Sequence, residues 1–224
     1  MMEGRGALKT VLCFGDSNTF GYDPIGVAAG ERARYPFEER WPGAMQRLLG
    51  SGWRVVEEGL SGRTTVHDDP FEPGLCGMDA LVCALGSAQP LDCVIIMLGT
   101  NDMKTCFGLP ASDIARGAES LVLAVKRFPW APGCHRPKIV IVSPPHIGEG
   151  IRDVVLSSFD MRSVAVSHEV AGAYRVIASE QGCAFLDASE ICEPSPVDHI
   201  HLSPEGHGAL ARALAGLVES IAGQ

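Results

Sequence analysis

The chain has 224 residues, 46% hydrophobic and 20% charged, with 18 Lys plus Arg against 27 Asp plus Glu for a formal charge of −9. That composition excludes a disordered chain, and the length suffices for one α/β domain with a substantial buried core. With no Lys/Arg-rich run, a nucleic-acid or anionic-membrane surface is not expected.

The N-terminal residues lead into a short apolar run ending at Phe14, too short for a signal sequence and followed by a turn where a cleavage site would be needed. Residues 10–14 are the first of five β-branched or apolar runs; the others are 53–57, 93–98, 139–142 and 184–186. Helical spacing fills the stretches between, at 41–49, 76–86, 111–128 and 159–181, and a last amphipathic segment covers 204–222. Strand runs without polar alternation, separated by helices, predict a parallel sheet covered on both faces, with the most apolar run, 94–98, in the middle. Two longer irregular segments, 22–39 and 144–157, are of a length that usually serves function or an interface. The whole chain, 1–224, reads as one domain. No apolar stretch is long enough to span a bilayer. The eight cysteines include no C-x-x-C pair, so neither a disulfide framework nor a zinc site is expected and the cytoplasm is the default compartment.

Ligands of an open parallel sheet bind at the carboxyl ends of its strands. Gly15-Asp16-Ser17-Asn18 follows the first strand, and Gly59-Leu60-Ser61-Gly62-Arg63-Thr64-Thr65 the second. Gly99-Thr100-Asn101-Asp102 follows the third, Ser143-Pro144-Pro145-His146 the fourth, and Asp198-His199-Ile200-His201 stands before the last helix. One edge thus collects the parts of acyl transfer. Ser17 is the candidate nucleophile, which needs a base to remove its proton. His201 is that base, and Asp198 holds it in one tautomer. Asp198 and His201 are neighbours on a helical turn, and Ser203-Pro204-Glu205 reads as a helix start, which puts His201 on the bend before it. The Ser17 N–H, the Gly62 N–H and the Asn101 side-chain amide are the candidate oxyanion donors.

These motifs resemble, in order and over nearly the whole chain, the four blocks of the SGNH (GDSL-type) hydrolase superfamily. Gly15-Asp16-Ser17 looks like the first block, Gly62 the second, Gly99-Thr100-Asn101-Asp102 the third and Asp198-x-x-His201 the last. The strings 57–65 with Asp68-Asp69-Pro70, and 94–102, look closer still to the bacterial arylesterase/acyltransferase branch. That resemblance implies a flavodoxin-like three-layer α/β/α fold with a five-stranded parallel sheet. It also implies short acyl, especially acetyl, ester substrates, no cofactor, homo-oligomers, and in some members acyl transfer to alcohols. Asn18 stands where the type form has Leu. Asp23, Phe107, His146 and Ile200 are the candidate substrate contacts.

Asp16 and Asp102 read as scaffolding, and Arg63 as a loop anchor. His199 and His207 read as packing or solvent-facing, and Trp41, Trp53 and Trp130 as core or interface. His67 with Asp68-Asp69 lacks a second ligand cluster, so no metal is expected. The rival readings are a phosphatase with Asp16 as nucleophile and a module cradling a phosphate or nucleotide on Ser17, Thr19 and Gly21. The first wants an acid where Asn18 stands, and in the second Asp16 would repel the anion.

Overall fold

The apolar runs become five strands: β1 (Lys9–Gly15), β2 (Trp53–Gly59), β3 (Cys93–Met97), β4 (Lys138–Ser143) and β5 (Ala184–Asp187). In this computed structural model, which describes residues 8–155 and 157–222, every strand pair is parallel and the order is β2-β1-β3-β4-β5. The start of the stretch compared with a signal sequence lies outside the described residues. The sheet is the expected α/β architecture, with the most apolar strand at its centre. All five residues of β3 are buried, whereas β2, an edge strand carrying Arg54, Glu57 and Glu58, is only half-buried.

Among the described residues, seven α-helices flank the strands: α1 (Ser17–Phe20), α2 (Pro24–Ala29), α3 (Trp41–Leu49), α4 (Gly77–Ala88), α5 (Ala111–Arg127), α6 (Met161–Glu180) and α7 (Pro204–Ala222). Successive side chains of a strand point to opposite faces, so each central strand feeds two cores. Leu12, Phe14, Val94, Ile96, Ile139 and Ile141 pack under α4, α5 and α6. Val11, Cys13, Cys93, Ile95, Met97, Val140 and Val142 pack under α3 and α7. Each fully buried Val, Ile or Leu contributes roughly 1.5–3 kcal/mol. This two-sided burial is why the runs lack polar alternation.

The structure differs from the sequence expectation in places with local causes. The segment 22–39 is not wholly irregular: Asp23 accepts the Gly26 N–H at 2.8 Å and Pro24 opens α2, the pair that starts a helix. The helix expected from residue 159 begins at Met161, because Asp160 caps it by accepting the Arg162 and Ser163 N–H groups. The segment 144–157 contains a 3₁₀ turn, Glu149–Asp153. All eight cysteines are free.

Strand β1 lies between β2 and β3, so the connections leave it towards both sides of the sheet. The crevice opens beyond the carboxyl ends of β1 and β3.

Candidate active site

Ser17 follows that crevice edge by two residues. Asp16 caps α1 by accepting the Asn18 N–H at 2.9 Å, and Gly21, at φ 80°, closes the single turn. The turn is tight enough that a Cβ at Gly15 would collide with Thr19. Ser17 is held at the mouth with 5% exposure.

The chain returns 184 residues later with His201, whose Nε2 stands 2.8 Å from Ser17 Oγ. Its Nδ1 lies 2.5 Å from Asp198 Oδ2, which fixes the proton on Nδ1 and leaves Nε2 to accept the serine hydroxyl. Asp198 Oδ1 also accepts the Ile200 and His201 N–H groups at 3.1 and 3.0 Å, which makes the bend between them. Burial pushes the Asp198 carboxyl up, but the hydrogen bond and charge of His201 and the two amides outweigh it, holding it below the usual carboxylate value. As the sequence implied, Ser203 accepts the Gly206 N–H and α7 begins directly behind this bend.

The oxyanion candidates converge on the same place. Asn101, in a 3₁₀ turn after β3, has 5% exposure and donates one amide hydrogen to the Arg63 carbonyl at 3.0 Å. Its second amide hydrogen is left for another acceptor. Gly62 takes φ 85°, a backbone state that favours glycine. Among the described residues, neither the Ser17 nor the Gly62 N–H has a protein acceptor.

The loop bearing Gly62 is pinned from both sides. Arg63 donates to the Gly15 and Glu58 carbonyls at 3.0 and 2.5 Å, with its guanidinium 4.3 Å above the Phe14 ring. Asp102, fully buried, accepts the Thr65 N–H and hydroxyl. Among the described residues, one carboxylate oxygen of Asp16 has no hydrogen-bond partner, and burial pushes its carboxyl up to about 6 against the pull of the Asn18 amide.

The four expected substrate contacts fare differently. At 1% exposure, the Asp23 carboxylate caps α2 and pairs with Arg32 at 2.6 Å, so it holds the 22–39 segment together. Ile200 flanks the base, half-buried. Phe107 packs against His67, with ring centroids 5.8 Å apart. His146 stacks on His168 of α6 at 3.8 Å, and burial with that neighbour lowers its pKa. His207 is fully buried, and its Nδ1 accepts the Trp41 N–H at 3.3 Å. Asp69 pairs with Lys104 at 2.7 Å, while Asp68, Cys76 and Asp79 bring three potential ligand atoms within 4.8 Å of one another.

Two partners of the base were not singled out from the sequence. Tyr22 lays its ring 4.2 Å from the His201 ring, and Asn18 bonds to the backbone on both sides of His201. The first could have been suspected only from its place five residues after the serine. The second had a signal in the departure from Leu at that position.

The family model described as GDSL-like Lipase/Acylhydrolase matches residues 13–209. The chain belongs to that family. It is 36% identical to a carbohydrate acetylesterase family member from Sinorhizobium meliloti, with a TM-score of 0.87 over 96% of this chain and all of that one. It is also 36% identical to the aryl esterase of M. smegmatis, at TM-score 0.85 over 95% of this chain and 99% of that one. An acetylxylan esterase of Xylanibacter ruminicola is 24% identical over 93% of this chain, which spans only 43% of that longer protein.

Proposed function

We propose that this GDSL-family chain is a carboxylic ester hydrolase working through an acyl-enzyme on Ser17. The observation that carries the reading is the continuous chain Ser17 Oγ, His201 Nε2, His201 Nδ1, Asp198 Oδ2, with links of 2.8 and 2.5 Å. Ser17 Oγ attacks the ester carbonyl carbon as its proton passes to His201 Nε2. The carbonyl oxygen becomes an oxyanion facing the Ser17 and Gly62 N–H groups and the second amide hydrogen of Asn101. Each such donor lowers the barrier by about 3–4 kcal/mol. The imidazolium, steadied by Asp198, returns its proton to the departing alkoxide and leaves the acyl-serine. Water, deprotonated by the same imidazole, then releases the acid and restores the serine. An alcohol entering in place of water gives acyl transfer.

The substrate is a short acyl ester, acetyl above all. Its support is the company the chain keeps, a carbohydrate acetylesterase, an aryl esterase and an acetylxylan esterase. Ile200, Phe107 and His146 are proposed to face that ester. The chain works as one domain, its described strands forming one sheet. A homo-oligomer is proposed on the strength of large apolar side chains left in solvent, Phe71 at 78% and Val155 at 86% exposure. A reducing, cytoplasmic setting suits the eight free cysteines. Among the described residues, no helix is long and apolar enough to cross a membrane.

The test is hydrolysis of p-nitrophenyl acetate by the wild type and by Ser17→Ala, with and without chelator. The expected result is chelator-insensitive turnover that falls on the order of 10⁶-fold in the variant. Turnover that survives Ser17→Ala sinks the reading.

A further inference from the structure

A serine–imidazole contact of 2.8 Å between residues 184 positions apart requires the two backbones to be held in register. One side chain bridges them. Asn18, at 1% exposure, accepts the Leu202 N–H at 2.9 Å through Oδ1, and its Nδ2 donates to the Ile200 carbonyl at 3.5 Å. Those two residues immediately flank His201. The asparagine is itself seated by the nucleophile turn, since its own N–H donates to Asp16 Oδ1 at 2.9 Å. Only an amide side chain offers a donor and an acceptor side by side without charge. Leucine has a similarly branched side chain with the same number of heavy atoms and offers neither.

We propose that Asn18 is a positioning residue for ester hydrolysis, clamping the backbone around His201 so that Nε2 stays within reach of Ser17 Oγ. This rests on the serine-esterase reading above. Catalytic geometry is steep, in that a displacement of about 1 Å can cost roughly 10²-fold in rate. The clamp acts on the base and leaves the oxyanion donors untouched, so its loss lowers kcat and spares KM.

The experiment compares wild type, Asn18→Leu, Asn18→Asp and Ser17→Ala on p-nitrophenyl acetate. For the proteins that keep Ser17, rates are referred to sites counted by stoichiometric labelling of Ser17 with an organophosphate, which excludes unfolded chains; Ser17→Ala is referred to total protein. Asn18→Leu is expected to lower kcat per labelled site by roughly 10–100-fold, with KM changed less than about twofold. Asn18→Asp keeps the acceptor for the Leu202 N–H but, once ionised, turns an oxygen in place of a donor towards the Ile200 carbonyl. Its kcat per labelled site is expected to fall by roughly 10–100-fold at a pH where that carboxylate is charged, again with KM changed less than about twofold. A purely structural asparagine would lower thermal stability and leave kcat per labelled site at the wild-type value in both variants, and that result overturns the proposal. If Asn18→Leu yields no folded protein, the near-isosteric Asn18→Asp decides alone: a wild-type kcat per labelled site at a pH where its carboxylate is charged overturns the clamp. Turnover that survives Ser17→Ala overturns the esterase reading and the clamp with it. A dead Ser17→Ala beside fully active Asn18 variants overturns the clamp only.

Discussion

His207 occupies the first turn of α7, six residues after the base, and joins that helix to the start of α3 through the Trp41 N–H. Burial, reinforced by positive charge at His201 and Arg40, drives its imidazole down to about 3. Its Nε2 has no partner among the described residues, and Tyr35 meets the ring edge-on at 5.4 Å. An unfolded histidine titrates near about 6.5 and takes up a proton that the folded protein refuses. The neutral ring therefore contributes stability that is fully present above about pH 6.5 and lost as pH falls towards about 3. The gap between those values corresponds to about 5 kcal/mol at roughly 1.4 kcal/mol per pH unit. Whole domains have stabilities of roughly 5–15 kcal/mol, so this one ring can trigger acid unfolding. The assay is urea unfolding between pH 7.5 and 4 for wild type and His207→Asn, whose side-chain oxygen can still accept the Trp41 N–H. Asp16 works in the opposite direction. Its carboxyl, raised to about 6, takes up a proton in the folded state, so its contribution grows as pH falls below that value. The difference between variant and wild type isolates His207, and it should shift in the variant's favour by up to about 1.4 kcal/mol per pH unit on acidification below about 6.5. A difference that stays constant from pH 6.5 to 4 refutes the reasoning.

Asn101→Ala removes the side-chain oxyanion donor and is expected to lower kcat for p-nitrophenyl acetate by about 10²–10³-fold, with little change in KM; an unchanged kcat would remove Asn101 from the site. Asp198→Asn leaves the bend but favours the wrong tautomer of His201, so steady-state kcat should drop on the order of 10⁴-fold at neutral pH. A drop below tenfold would mean the imidazole is oriented by something else. Gly150 lies against the His199 ring, where an added Cβ would collide with Nε2 and Cε1, and His199 itself sits at φ 63° two residues before the base. Gly150→Ala is therefore expected to cost about 1–3 kcal/mol in thermal unfolding and to lower turnover. The same change made in a His199→Gly background should be harmless; a double variant as impaired as Gly150→Ala places the clash elsewhere.

The sheet was legible because burial on both faces leaves an unmistakable mark: Val11 to Phe14 and the whole of β3 have no polar residue for water to meet. The contact between Asp198 and His201 was legible from their spacing, since Asp-x-x-His directly ahead of a Ser-Pro-Glu helix start puts the two side chains on one bend. Asp23 could be read in two ways from the sequence, because one residue type serves two ends. The acid beside Pro24 is also a helix cap, and the local signal was the stronger one. Tyr22 against His201, or His146 against His168, depends on where two loops fold over the crevice. No periodicity along the chain encodes that.

The motifs share an internal grammar that the structure explains. In each, the residue with the chemistry is followed by one that ties its loop to another part of the site. Ser17 is followed by Asn18, which holds the backbone around His201. Gly62 is followed by Arg63, bonded to the carbonyls of Gly15 and Glu58 at the ends of β1 and β2. Asn101 is followed by Asp102, which grips Thr65 in the Gly62 loop. Asp198 is followed by His199, whose carbonyl accepts the Gly148 N–H at 2.8 Å. Asn18, Arg63 and Asp102 are nearly or fully buried, and their polar groups meet backbone that would otherwise be unsatisfied. Loops that approach from four strand ends cannot be registered by hydrophobic packing, which is non-directional, so the directional bonds of these second residues do that work. The motif length thus reflects two requirements, one chemical group and one tether, and substitutions at the tether positions should erode turnover before they erode the fold.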